Sequence, residues 1–256
     1  NKDVFQSYIL TVAKYKFSIY EKRILYRLVD IAQKDVPQPL KNSLYKVEPS
    51  ECGVNVTMPV ADILKDETDN NYAKAKKAFK DLSEKGIEYE DSKTWLYTAI
   101  IEHPVIEKGT GIATFHVYDP VWRCILDFGS GYRKYELETA MSFKSVYSMR
   151  MYELLSGQKT PLSFNVEDLL ERFKLAGKYK RISTFEEKVL EVAKRELDEH
   201  SPYSFTYERI TRRSRGRQGF KVTGYTFTPK FLHKNRDMKL EEKELNAKLG
   251  NITGRF

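Results

Sequence analysis

The chain has 256 residues, 41% hydrophobic and 31% charged, enough for two ordinary hydrophobic cores and too apolar for wholesale disorder. No apolar run approaches the ~18–20 residues that span a bilayer, and no signal-peptide pattern is found, so neither a membrane span nor a secretory route is expected. The net charge of +8 is uneven: residues 1–134 carry 20 Lys/Arg against 19 Asp/Glu, whereas 172–236 carry 17 against 7. Such a local excess suits a polyanion, because each neutralised phosphate releases condensed counterions.

In chain order, the first strong helix is expected over Ser18–Gln33. Ile24, Leu25, Leu28, Val29, Ile31 and Ala32 form its apolar stripe, and Ser18 with Glu21 has capping-box spacing. Pro37, Pro39 and the polar stretch to Gly53 read as a loop. Val54–Met58 alternates like a short strand, and Pro59 stands where a helix over Val60–Lys65 would begin. The next helix, about Asn70–Lys85, offers Tyr72, Ala75, Phe79 and Leu82 for burial, shows Lys74, Lys76, Lys77 and Lys80 elsewhere, and is stopped by Gly86. Strands near Thr94–Glu102 and Ala113–Tyr118 flank a turn at Glu107–Gly111.

The order then repeats. A helix over Ser142–Ser156 supplies Val146, Met149, Tyr152, Leu154 and Leu155 to a core and ends at Gly157. Pro161 precedes an extended Leu162–Phe164, and Asn165 caps a brief helix to about Phe173. A basic loop, Leu175–Ile182, leads to a longer helix from Ser183 or Thr184 to about His200, with Phe185, Val189, Val192, Ala193 and Leu197 as its buried face. Strands Tyr203–Tyr207 and Phe220–Phe227 flank four arginines, Arg212, Arg213, Arg215 and Arg217. Helix, strand, helix, helix, hairpin is winged-helix order. Two copies imply an internally duplicated α+β chain: tandem winged-helix domains over 1–134 and 135–236, then a charged, helix-patterned tail over 237–256 with no assigned function.

A helix followed by an arginine-tipped hairpin points to DNA. The helix enters the major groove, and the wing's guanidiniums pair with flanking phosphates or enter the minor groove. Lys178, Lys180 and Arg181 are assigned to phosphates at the helix start, and Lys188, one turn in and off the apolar stripe, to a base edge. Tyr179 has two readings, phosphate donor or packing residue. Ser183 and Thr184 also have two, plain N-capping or contacts to phosphate and base edges. Arg212, Arg213, Arg215 and Arg217 form the backbone clamp, with Gly216 and Gly219 permitting the turn. In the first domain, Lys74, Lys77 and Lys80 stand equally as a solvated face and as auxiliary DNA contacts.

Catalytic readings fare poorly, and the expectation is a protein that is not an enzyme. The two cysteines, Cys52 and Cys124, have no metal-binding spacing and favour a reducing cytosol over a disulfide framework. His103, His116, His200 and His233 are scattered, without the paired histidines of a metal-dependent nicking initiator, and no phosphate-binding G-x-x-x-x-G-K-[ST] loop occurs. No cofactor or metal is expected. A nicking endonuclease remains the competing enzyme class.

These residues resemble a family. SVYSMRMYELL (Ser145–Leu155) looks like the helix opening the second domain of plasmid replication initiators, the iteron-binding Rep proteins. KYKRISTFEEKVLEVAKRELDEHSPYSFTYE (Lys178–Glu208) resembles their recognition helix and following strand, and Arg215-Gly216-Arg217 through Phe227 their closing wing. FHVYDPVWRCILDFGSGYRKYELETAMSF (Phe115–Phe143) is similar to their inter-domain segment. The match covers roughly 110–230 in detail and 17–105 in element order.

The resemblance implies monomers on direct-repeat origin sites, homodimers on inverted-repeat operators that repress the protein's own gene, and no catalysis or cofactor. It also implies a host initiator, a helicase and chaperones as partners, no membrane partner, and a cytoplasmic, plasmid-associated location. By the same analogy, Gln33–Gly53 and Thr94–Tyr118 are dimer-interface candidates. A transcriptional repressor without origin function is the nearest alternative. One departure stands out: Glu186 and Glu187 follow Phe185 where the family often has basic residues. Either they accept from cytosine in the major groove, or they face away and favour the helix N-terminus.

Overall fold

A computed structural model describes residues 3–7, 16–33, 44–64, 71–90, 95–126, 132–213, 219–242 and 245–246. Contacts divide the chain into two units, one mainly 17–132 and the other mainly 133–256. Each combines helices with antiparallel strands, the α+β class expected.

In the first unit, α1 (Ile19–Gln33) starts at the expected capping box. Ser18 N donates to Glu21 Oε2 at 2.6 Å, and Glu21 N to Ser18 Oγ at 3.3 Å. Its stripe of Ile24, Leu25, Leu28, Val29 and Ile31 is buried. The loop expected up to Gly53 instead contains a strand, β1 (Lys46–Ser50), antiparallel to β2 (Gly53–Pro59). Pro49 concealed it; a proline with no N–H to donate is tolerated because β1 lies at the sheet's edge. The helix expected over Val60–Lys65 is a 3-10 turn, Val60–Ile63.

α2 (Tyr72–Glu84) buries Ala75, Ala78, Phe79 and Leu82. Tyr72, expected in the core, is largely exposed, because the helix begins at that residue, ahead of the packed stripe. α2 ends just ahead of Gly86, as expected, though Gly86 lacks the left-handed φ of a capping glycine. Gly86 opens β3 (Gly86–Glu90), which pairs with β4 (Trp95–Ala99), and the Tyr97 ring lies 2.1 Å from where a Cβ on Gly86 would stand. The stretch read as one strand near Thr94–Glu102 therefore belongs to two: β4, and then β5 (Glu102–Glu107), which turns into β6 (Ile112–Tyr118). The main sheet runs β1-β2-β6-β5. Strand alternation buries Val56, Met58, Ala113, Phe115 and Val117, with the Phe79 ring 5.6 Å from Phe115. α3 (Asp119–Leu126) follows.

In the second unit, the helix expected over Ser142–Ser156 is α5 (Val146–Leu155), starting four residues late, and a separate short helix, α4 (Leu137–Ser142), precedes it. Ser145 breaks them: its Oγ accepts from Tyr147 N at 3.1 Å as the α5 cap. The preceding Phe143 is extended and sets its ring 5.3 Å from Tyr152. Asn165 caps as expected, accepting from Asp168 N at 2.6 Å, between β7 (Leu162–Asn165) and α6 (Val166–Arg172).

A long helix, α7, covers 182–200. The hairpin strands β8 (Tyr203–Arg213) and β9 (Phe220–Phe231) run further than alternation indicated, and the sheet order is β8-β9-β7. Phe205 and Phe227, 5.6 Å apart, centre the core between sheet and helices. Beyond the hairpin, Arg236 Nη1 donates to the buried Glu136 Oε1 at 2.7 Å, and Leu240 of the tail is buried. α5, β7, α6, α7 and the β8–β9 hairpin thus repeat the order of α1, β2, the 3-10 turn, α2 and the β3–β4 hairpin.

Candidate nucleic-acid interface

α7 is seated on the sheet by Phe185, Val189, Leu190, Ala193 and Leu197, all buried. Its second turn, Glu186–Leu190, is a π turn, a local widening often found where a helix serves a site. Across it two adjacent residues, Phe185 and Glu186, both lie inward. The Glu186 carboxylate accepts two bonds from Arg209 on β8, Nε at 2.7 Å and Nη2 at 2.5 Å, and one from the Tyr225 hydroxyl on β9 at 2.8 Å. Burial alone would raise this carboxyl, but the Arg209 and Tyr225 bonds outweigh it and hold it below its ordinary range. Burial and the same carboxylate push the Tyr225 hydroxyl well up, so it stays a donor. One turn on, Tyr207 of β8 donates to Glu191 Oε1 at 2.5 Å. Helix and hairpin are therefore locked together at two points.

This geometry sets the Glu pair apart: the Glu186 carboxylate is buried and taken up by Arg209 and Tyr225. Glu187 is exposed and lies 2.9 Å from Lys188 Nζ. The helix starts at Ile182 with Arg181 in the cap position and no side-chain cap bond. Capping by Ser183 or Thr184 is thus overturned: Ser183 is exposed and Thr184 half-buried within the first turn.

Tyr179 packs its ring edge-on against Phe185 at 6.1 Å. Lys178 lies over the Tyr179 ring and donates to the Tyr147 hydroxyl at 3.3 Å, a bond that raises its pKa and fixes its place. Lys180 and Arg181 are exposed and have no ion-pair partner among the described residues. Arg195 was missed by the sequence reading. It is exposed and sits seven residues beyond Lys188, two helical turns along one face, a spacing that would have pointed to it.

On the hairpin, Arg212 pairs with Lys221 and Arg213 with Phe220, and all four are exposed. Gly219 has φ +143°, open to glycine and strained for other residues. Arg215, Gly216 and Arg217 lie outside the described residues. The register shifts between Ile210 and Thr211, and Gly224 holds the strands close: a Cβ there would stand 2.5 Å from the Phe164 carbonyl oxygen of β7.

Two family models match the chain: one described as Initiator Replication protein, WH1, over residues 3–156, and one as Initiator Rep protein, WH2, over 165–229. The chain belongs to the initiator replication protein family. It is a replication initiator built from two tandem winged-helix domains. The fold is shared with a solved structure, "Crystal structure of Pi initiator protein in complex with iteron DNA", at 17% sequence identity and a TM-score of 0.66, covering 90% of this chain and 98% of that one. No curated protein sequence matches the chain.

In the initiator's first domain, the lysines singled out on α2 are exposed but not equivalent. Lys77 Nζ is 2.5 Å from Asp81, and Lys80 Nζ is 3.6 Å from Glu84, both four residues on. Lys74 is exposed. No helix among the described residues is long and apolar enough to cross a membrane.

Proposed function

We propose that this initiator grips repeated double-stranded origin sites through its second winged helix, with α7 in a major groove and the β8–β9 hairpin along the flanking backbone. One observation carries the assignment. Lys180, Arg181, Arg212 and Arg213 are exposed without ion-pair partners among the described residues, at the entry of a helix and on a hairpin clamped to it through Glu186 and Arg209. The Pi initiator was solved with iteron DNA, which supports direct repeats as the site class.

Lys178, Lys180 and Arg181 meet phosphates at the helix start. Ser183 and Thr184, free of capping duty, reach phosphate or base edges, while Lys188 reads a base edge with Arg195 further along the same face. Arg212, Arg213, Arg215 and Arg217 clamp the adjacent backbone. Tyr179 supports the helix start by packing. The protein acts in the cytoplasm without a cofactor or a catalytic step of its own. It binds direct repeats as a monomer and, as a homodimer, an inverted repeat that represses its own gene. Host initiator, helicase and chaperones are its proposed partners.

Footprinting on the DNA flanking the gene tests this reading. Protected direct repeats are expected, and Lys188→Ala erodes the preference for the cognate repeat over a scrambled one by about 1–3 kcal/mol. Protection of an inverted repeat alone would favour a repressor without origin function; no protection would overturn the proposal.

A further inference from the structure

Near the far end of the β8–β9 hairpin stands an aromatic side chain that phosphate clamping leaves unused. Phe220 is 74% exposed. It pairs across the hairpin with Arg213, on the same face, while the neighbouring pair, Arg212 with Lys221, takes the other face. Like charges directly opposite on a hairpin repel each other, a cost that a polyanion relieves.

The hairpin's register determines which way the ring faces. Residues paired across an antiparallel ladder share a face, and faces alternate along each strand. Ile210 pairs with Gly224 but Thr211 pairs with Val222, so Thr223 is passed over as a bulge. Arg209, Thr211 and Arg213 therefore share one face, and the bulge brings Val222 and Phe220 onto it. Without the extra residue, alternation from Tyr225 would place Lys221 there instead. Arg209 is the residue clamped to Glu186 of α7, so Phe220 lies on the helix side of the hairpin, the side a duplex held by both would occupy.

We propose that Phe220 is a wedge that enters the minor groove beside the helix's site and inserts between two stacked base pairs, with Arg213, on the same face, on the adjoining phosphate. The proposal rests on the groove reading above and extends it. Apolar wedges unstack a step and kink the duplex, and pyrimidine–purine steps yield most easily. The ligand is thus a TA or CA/TG step flanking each repeat, and the wing opens it locally as it binds.

The test uses the full chain and a duplex carrying one origin repeat, with donor and acceptor dyes at its ends and 2-aminopurine at the step beneath the wing. Wild type is expected to bend the duplex and brighten the 2-aminopurine. Phe220→Ala binds within about threefold of wild type but loses both signals, whereas Phe220→Leu keeps most of the bend. Replacing the TA step with GG weakens wild type and leaves Phe220→Ala unaffected. An alanine variant that bends and unstacks the duplex as wild type does overturns the wedge and leaves the groove reading intact. Failure of wild type to bind the repeat overturns both.

Discussion

α2 with the β3–β4 hairpin and α7 with the β8–β9 hairpin hold the same place in the element order, yet their surfaces differ. On α2, Lys77 and Lys80 each face an acid four residues on, so much of the lysine-rich face is neutralised within its own helix. At α7, Lys180 and Arg181 precede the helix body, and Arg212 and Arg213 sit on a strand, so none has a carboxylate one helical turn away. The hairpins diverge as well. β4 shows Trp95 and Tyr97, stacked 6.5 Å apart, where β8 shows arginines. What separates a DNA-binding surface from a solvated basic one here is whether the cations are already answered, more than how many there are. Surface pairs add little stability, but each one competes with a phosphate.

The largest break in this comparison comes from the wing. Neutralising Arg212, Arg213, Arg215 and Arg217 together is expected to weaken binding to cognate and scrambled DNA alike. The dependence of log affinity on log salt should flatten by about 0.9 for each arginine that meets a phosphate. Binding titrations across a salt series measure it; an unchanged slope removes the wing from the interface.

Local chemistry made much of this legible. Ser18 with Glu21, and Asn165, marked helix starts by the side-chain bonds they form, and apolar periodicity found the buried faces of α1, α2 and α7. The misses have long-range causes. Pro49 argues against a strand until the strand is known to be at an edge, and Gly86 marks the end of α2 but not the strand that opens there under the Tyr97 ring. Inward-facing Glu186 breaks a helical period, because a π turn and two partners more than 20 residues away hold it there. Its partners, Arg209 and Tyr225, were invisible as site residues for the same reason. They touch no DNA in this reading and act through the angle between helix and wing.

That clamp gives the next prediction. Glu186→Gln keeps the volume but loses the charge, and is expected to cost about 1–3 kcal/mol of stability at neutral pH. The sign with pH follows from a carboxyl held below its ordinary range by Arg209 and Tyr225 against burial. Its contribution is complete above the unfolded value of about 4.3 and is lost as pH falls through the folded value. Denaturant titrations should therefore show wild type and Glu186→Gln converging in acid and separating at neutral pH. A constant gap would mean the ionised carboxylate is not what joins helix to wing.

The smallest effect is expected on the other side of the comparison. Lys74→Ala, Lys77→Ala and Lys80→Ala combined remove three positive charges, one fewer than the wing variant, yet two of them already have carboxylates beside them. Removing those two also frees Asp81 and Glu84, so the net field near α2 becomes more negative. Even so, if α2 lies away from the duplex, that field is screened within a Debye length of about 8 Å at physiological salt. Affinity should change by less than about threefold and the salt slope by less than about 0.9, the value for one lost phosphate contact. A slope change comparable to that of the wing variant would show that the Asp81 and Glu84 pairings open on binding, and would make α2 a second DNA-contacting helix equal to α7.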